Sequence, residues 1–225
     1  MLAAGEGRRF GGPKLAMPFG DSTVIGCVVG ALAGAGLDPI IVVVGANRAE
    51  TETALAGMSV RLVENPDPSR GMLSSVQVGV AALPQGVSRF VIALSDQPRI
   101  RPEDITRLLE QVWQEQAPAQ QQAPAQQQAP AQQQAPAQQQ VTAQRLSGKG
   151  IALPTHAGKR GHPIVFDGRY REEILSLGPD AALRDVIHRH IDDVVEVEFA
   201  SDAFVGDIDT QEQYEDERRK ADGER

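Results

Sequence analysis

Residues 39–45 read Pro-Ile-Ile-Val-Val-Val-Gly. Five β-branched aliphatic residues in a row, with no polar residue between them, mark a strand covered on both faces. Such strands belong to parallel sheets sandwiched between helices. The neighbouring segments fit. Upstream, "DSTVIGCVVGALAGAGL" (21–37) has helical spacing, Asp21 or Ser22 as a cap, and glycines to end it. Downstream, "ANRAETETALAG" (46–57) reads as a helix, "VRLVEN" (60–65) as a short strand and "GMLSSVQVGVAALP" (71–84) as a helix. "RFVIALSDQP" (89–98) reads as a strand ending in a turn, and "RPEDITRLLEQVWQEQ" (101–116) as a helix. "GIALPT" and "HPIVF" follow as strands, then two short helices near 169–176 and 180–189, a strand in "DVVEVEF" and a charged helix in "TQEQYEDERRKAD". The alternation predicts an α/β protein with one doubly wound, mostly parallel, mixed sheet. Ligands of such sheets bind beyond the carboxyl ends of the strands.

The 225 residues suffice for one such domain. The formal net charge of −8 argues against a nucleic-acid surface, so any anion site must be local. A single cysteine, Cys27, excludes a disulfide framework; it lies in an apolar run and reads as a packing residue. No membrane span or signal peptide is visible, which reads as a cytoplasmic protein. "APAQQQ" occurs four times from Ala117 to Gln140. Without large apolar residues this repeat cannot offset the entropy of ordering itself. Residues 115–147 therefore read as a low-complexity, disordered insertion in a surface loop. It splits one domain into a first part (1–114) and a second part (148–210), with a charged helix or tail at 211–225.

Two features stand at strand ends. The first is the basic, glycine-rich "LAAGEGRRFGGPK" (2–14). Pro13 before Lys14, and Leu15 after it, exclude a Walker A loop; Phe10 excludes the dinucleotide fingerprint. Small residues at Ala3, Ala4, Gly5 and Gly7 still let backbone N–H groups approach phosphate, and Arg8 and Lys14 add charge. The second is acidic. Asp96 ends a strand, and Asp207 and Asp209 precede the last helix. Spacing alone leaves open whether Asp96 and Asp209 are metal ligands or helix caps, with Thr210 as a rival cap.

The succession "LAAGEGRRFGGPK", "AGLDPIIVVVGA", "NPDPSRGMLSSVQVGVAAL", "LSDQPRI", "GKRGHPIVF" and "DIDT" resembles the small nucleotidyltransferases of the GT-A-like superfamily, and within them the molybdenum cofactor cytidylyltransferases. The resemblance covers the chain apart from the repeat and the charged tail, and implies a Rossmann-like nucleotidyltransferase fold in which 1–114 is the nucleotide-binding part and 148–210 the acceptor part. It implies that Ala3, Ala4, Gly5 and Gly7 lie against the nucleotide and that Arg8 and Lys14 hold the triphosphate. Gly71 and Ser75 would lie near the base. Asp96 would hold Mg²⁺ with Asp209 or Asp207, and Gly161, His162 and Pro163 would serve the acceptor. Ser95 departs from the glycine usual before the aspartate, and Gln211 from the proline usual after "DIDT".

The implied reaction moves CMP from CTP to the terminal phosphate of molybdopterin and releases pyrophosphate. The methyl group of Ala4, where guanylyl-transferring relatives have glycine, narrows the base pocket in favour of a pyrimidine. Two alternatives stand beside it: transfer to a sugar or polyol phosphate, and a non-catalytic maturation factor for a molybdoenzyme. The implied partners are CTP, the molybdopterin-type acceptor, and a molybdoenzyme or its maturation factor. Only Met1 and Leu2 precede the glycine-rich loop, so its supporting strand is expected to be largely missing, as in a chain shortened at its N-terminus.

Overall fold

The computed structural model describes residues 1–5, 9–112 and 149–223. Gly7, Arg8 and the 115–147 insertion lie outside the described residues.

The aliphatic run becomes β4 (Ile41–Val44), buried at every position. Its side chains alternate as a two-sided strand requires. Val42 and Val44 join a core with α1 (Val24–Gly34), while Val43 lies against Gly79 of α3 (Met72–Ala81) on the opposite face. Flanking β4 are β1 (Leu2–Ala3) and β5 (Arg61–Glu64), both parallel to it, with α2 (Arg48–Ala54) connecting β4 to β5. β1 is two residues long, in keeping with the short first strand expected.

A parallel bridge from Leu2 to Leu94 continues the sheet toward β6 (Arg89–Ile92), reinforced by the Leu2 amide donating to Ala93 O at 2.8 Å. Beyond β6 come β9 (Ile164–Asp167), β7 (Ile151–His156) and β10 (Val194–Glu198). β9 is antiparallel to both its neighbours, β10 is parallel to β7, and β8 (Lys159–Arg160) folds back antiparallel on the end of β7. The mixed sheet thus runs β5-β4-β1-β6-β9-β7-β10.

The helices divide between the two faces. α1 and α4 (Pro102–Val112) cover one face with Ile25, Val28, Leu32, Ile105 and Leu108. α3, α5 (Arg171–Ser176) and α6 (Leu183–Arg189) cover the other with Val76, Val80, Ile174, Val186 and Ile187. There Phe90 and Phe166 stack across β6 and β9 at 5.6 Å, an arrangement favoured beyond area burial alone. Neither Asp21 nor Ser22 caps α1. Thr23 does, its Oγ1 accepting from the Gly26 amide at 3.0 Å; it ends the short antiparallel pair of β2 (Pro18–Phe19) and β3 (Ser22–Thr23), immediately before the first helical residue.

Candidate active site

The carboxyl ends of β1 and β6 open on one cleft, as the parallel-sheet rule requires. It is lined by Ala4, Gly5, Arg9, Lys14, Gly71, Ser75, Asp96, Asp207 and Asp209. The fold therefore brings two of the four small loop residues, Lys14, the α3 residues and all three acidic candidates to one place. Ala3 is buried beneath the loop.

The caps are settled by hydrogen bonds. α7 (Gln211–Gly223) is capped by Thr210, whose Oγ1 accepts from the Gln213 amide at 3.2 Å. Gln213 Oε1 accepts in return from the Asp209 and Thr210 amides at 2.8 and 2.9 Å. Asp209 is thereby positioned by its backbone while its carboxylate stays free to face the cleft. α4 begins from Arg101, whose carbonyl accepts from Asp104 and Ile105. Asp96 is not its cap.

Asp96 and Asp209 converge on Lys14. Its ammonium donates to Asp96 Oδ2 at 2.7 Å, Ile208 O at 2.7 Å and Asp209 Oδ1 at 3.3 Å. Arg9 pairs with the other Asp209 oxygen at 2.8 Å. Asp207 takes a different post, accepting at 2.8 Å from Gln97 Nε2. Desolvation of its carboxyl, with the charges of Asp96 and Asp209, raises its pKa. Among the described residues no group of three His, Cys, Asp or Glu could hold a metal ion. Two carboxylates that already converge on one cation do suit Mg²⁺, a hard ion that takes few protein ligands and completes its shell with water and substrate phosphate.

The opposite wall is built on Asn65, which the sequence reading passed over. Its buried amide donates to Ser74 Oγ at 2.8 Å and Ser75 Oγ at 2.9 Å, and its Oδ1 accepts from the Asp67 amide at 3.0 Å. One side chain thus fixes the turn into α3, where Gly71 has a φ of +88° that disfavours any larger residue. Asn47 plays a similar part for the loop, donating to Ala3 O at 2.9 Å and accepting from the Gly45 amide at 3.2 Å. Asparagine followed by a helix start is a detectable signal for such turns.

A second cavity, about 440 Å³, adjoins the cleft at Gly71 and Met72. Leu73, Leu153, Ile164, Leu183 and Ile187 give it an apolar floor; Arg70, Arg160, Arg184 and His188 rim it; among the described residues no carboxylate lines it. Gly161 and His162 form part of its wall. A Cβ at Gly161 would lie 2.1 Å from Phe204 O, so only glycine fits there. Burial lowers the His162 pKa to about 4 against the opposing charge of Asp96, leaving the imidazole neutral at pH 7. Pro163 is buried just beyond it, at the start of β9, and is not among the lining residues.

A sheet of this topology with a basic glycine-rich loop and an acidic strand end facing each other defines a nucleotidyltransferase-type protein. The sequence model of the MobA-like NTP transferase domain matches residues 1–194, and the chain belongs to that family. Nicotine blue oxidoreductase of Paenarthrobacter nicotinovorans is 30% identical over 219 residues, covering 95% of this chain and 92% of that one. Among solved structures, Rv0371c from Mycobacterium tuberculosis H37Rv superposes with a TM-score of 0.70 at 24% identity, over 97% of this chain and 94% of that one. The Methanothermobacter nucleotidyl transferase Mth528 gives a TM-score of 0.71 at 24% identity, again over 97% and 94%. Rv0371c has also been solved in complex with manganese; that structure gives a TM-score of 0.66 at 22% identity, over 97% and 95% of the two chains. These structural likenesses establish the fold. No helix among the described residues is long and apolar enough to cross a membrane.

Proposed function

We propose that the protein transfers CMP from CTP to the terminal phosphate of a molybdopterin-type acceptor in the cytoplasm. The observation that carries this reading is the second cavity. Its apolar floor suits a flat heterocycle better than a hydroxyl-rich sugar, and its basic rim suits an anion. It meets the donor cleft at Gly71 and Met72, so the two substrates would touch.

On this reading the base lies against Ala4, Gly71 and Ser75. Ser75 Oγ accepts from Asn65, so its own proton is available to a base oxygen. The Ala4 methyl favours the smaller pyrimidine ring. Lys14 and Arg8 neutralise the triphosphate. Asp96 and Asp209 would hold Mg²⁺, which when bound supplies charge neutralisation at the phosphates. An acceptor phosphate oxygen attacks the α-phosphorus in line, and the bond to the bridging oxygen breaks, releasing pyrophosphate. The attacking phosphate is already largely ionised near neutral pH, so no general base is needed. Positioning and charge do the catalytic work. Gly161 and His162 shape the acceptor wall, with Pro163 behind them.

The 30% identity across nearly the whole chain favours one other reading. The apolar cavity would then seat a conjugated pigment, as the name of that relative suggests, for oxidation or reduction by a redox cosubstrate. Incubation with each NTP, Mg²⁺ and molybdopterin, scored for pyrophosphate and dinucleotide, tests the proposal. We expect CTP-dependent product, lost in Asp96→Asn with the fold retained. Product only with sugar phosphates overturns the acceptor. Nucleotide binding without turnover on any acceptor points to a maturation factor. Dye reduction by a hydride donor, without pyrophosphate release, supports the oxidoreductase.

A further inference from the structure

Three protein oxygens from two distant segments surround the Lys14 ammonium: Asp96 Oδ2, Asp209 Oδ1 and the carbonyl of Ile208. The cage is held from behind. Ile208 is fully buried, and its amide donates to the Asp96 carbonyl at 3.2 Å, tying the two acidic segments together. Lys14 is largely buried at the edge of the cleft, its side chain 12% exposed. An ammonium carries three N–H donors. All three are committed here, and none remains for a phosphate oxygen.

A divalent ion such as Mg²⁺ sits about 2.1 Å from its carboxylate oxygens. An ion bridging the Lys14-facing oxygens of Asp96 and Asp209 would stand where the ammonium now stands. Two cations cannot share that point. We propose that Lys14 is the resident counter-cation of the Asp96–Asp209 pair, and that it must leave before a divalent metal can enter. Triphosphate oxygens give the departing ammonium new acceptors, so nucleotide entry vacates the cage. Lys14 is then a positioning residue that opposes metal binding until nucleotide draws it away. Arg9 pairs with the outer Asp209 oxygen, and the inner one faces Lys14. This inference rests on the two-carboxylate metal site proposed above, and on neither the donor base nor the acceptor.

Mn²⁺ titration followed by the electron paramagnetic resonance of the free ion tests it, with no turnover required. We expect Lys14→Met to bind Mn²⁺ alone at least tenfold more tightly than the wild type. The extra affinity conferred by an α,β-methylene CTP analogue should be smaller in the variant. Equal or weaker metal-only binding in Lys14→Met overturns the inference and leaves the metal site standing; no binding in either protein overturns both. The wild-type chain supplies a second measurement that does not depend on the variant folding. Acylation of Lys14, read by peptide mass spectrometry, should accelerate at least fivefold when saturating Mg²⁺ is added without nucleotide. An unchanged rate with metal bound overturns the inference.

Discussion

Phe10 of the glycine-rich loop meets Tyr214 of α7 edge to face, ring centroids 6.1 Å apart. The contact joins residues near opposite ends of the chain and makes the terminal helix part of the glycine-rich loop's support. Tyr214 is 2% exposed, and its hydroxyl donates to Pro18 O. We expect Tyr214→Ala to cost about 3–5 kcal/mol of stability, the usual range for a buried aromatic. It should also raise KM for the nucleotide, because Phe10 loses its abutment. Tyr214→Phe keeps the ring and should cost only about 1 kcal/mol. Denaturant unfolding and nucleotide titration of both variants check the order.

Asn65 should be the most sensitive neutral residue of the cleft. Asn65→Ala strips both serines of their donor and the Asp67 amide of its acceptor. Buried groups left unpaired cost about 1–3 kcal/mol. The base-side wall should loosen with them. Thermal melts should show the loss of stability, and steady-state kinetics a rise in nucleotide KM larger than the fall in kcat.

Arg70 and Arg184 should serve acceptor affinity alone. Both are exposed residues on the rim of the second cavity. Arg70→Ala with Arg184→Ala should raise the acceptor KM about tenfold or more and flatten its salt dependence, while the nucleotide Kd stays unchanged. A rise in nucleotide Kd instead would place the donor in that cavity.

The architecture was readable because it rests on periodicity. The unbroken run at 40–44 required a two-sided strand, and the strand ends then located the cleft. What the sequence hid depends on contacts between distant segments. No spacing rule links Lys14 to Ile208 O, or shows that Thr210 relieves Asp209 of capping. The charged composition of residues 211–223 likewise conceals that Tyr214 and Glu217 are buried. Arg99, two residues after the "DQ" turn, donates from Nε to Glu217 at 2.7 Å; that partner lies on the last helix, beyond the reach of local pattern.

The Arg99 cluster sets an acid limit on stability. Arg99 and Lys220 both donate to Asp202, and Lys220 also donates to Glu217 at 3.0 Å, behind the turn that carries Asp96. Burial pushes the Asp202 carboxyl upward, but hydrogen bonds from Lys220 and Arg99 outweigh it and take the pKa from 3.8 to about 2. A carboxylate depressed on folding binds its proton more readily in the unfolded chain. Its stabilising contribution is therefore complete above about pH 4 and lost as pH falls through about 2. Asp202→Asn should lower the melting temperature at pH 7. It should also show a shallower decline than the wild type between pH 4 and pH 2, measured by calorimetry across that range. Parallel declines in the two proteins would assign the acid sensitivity to other carboxylates.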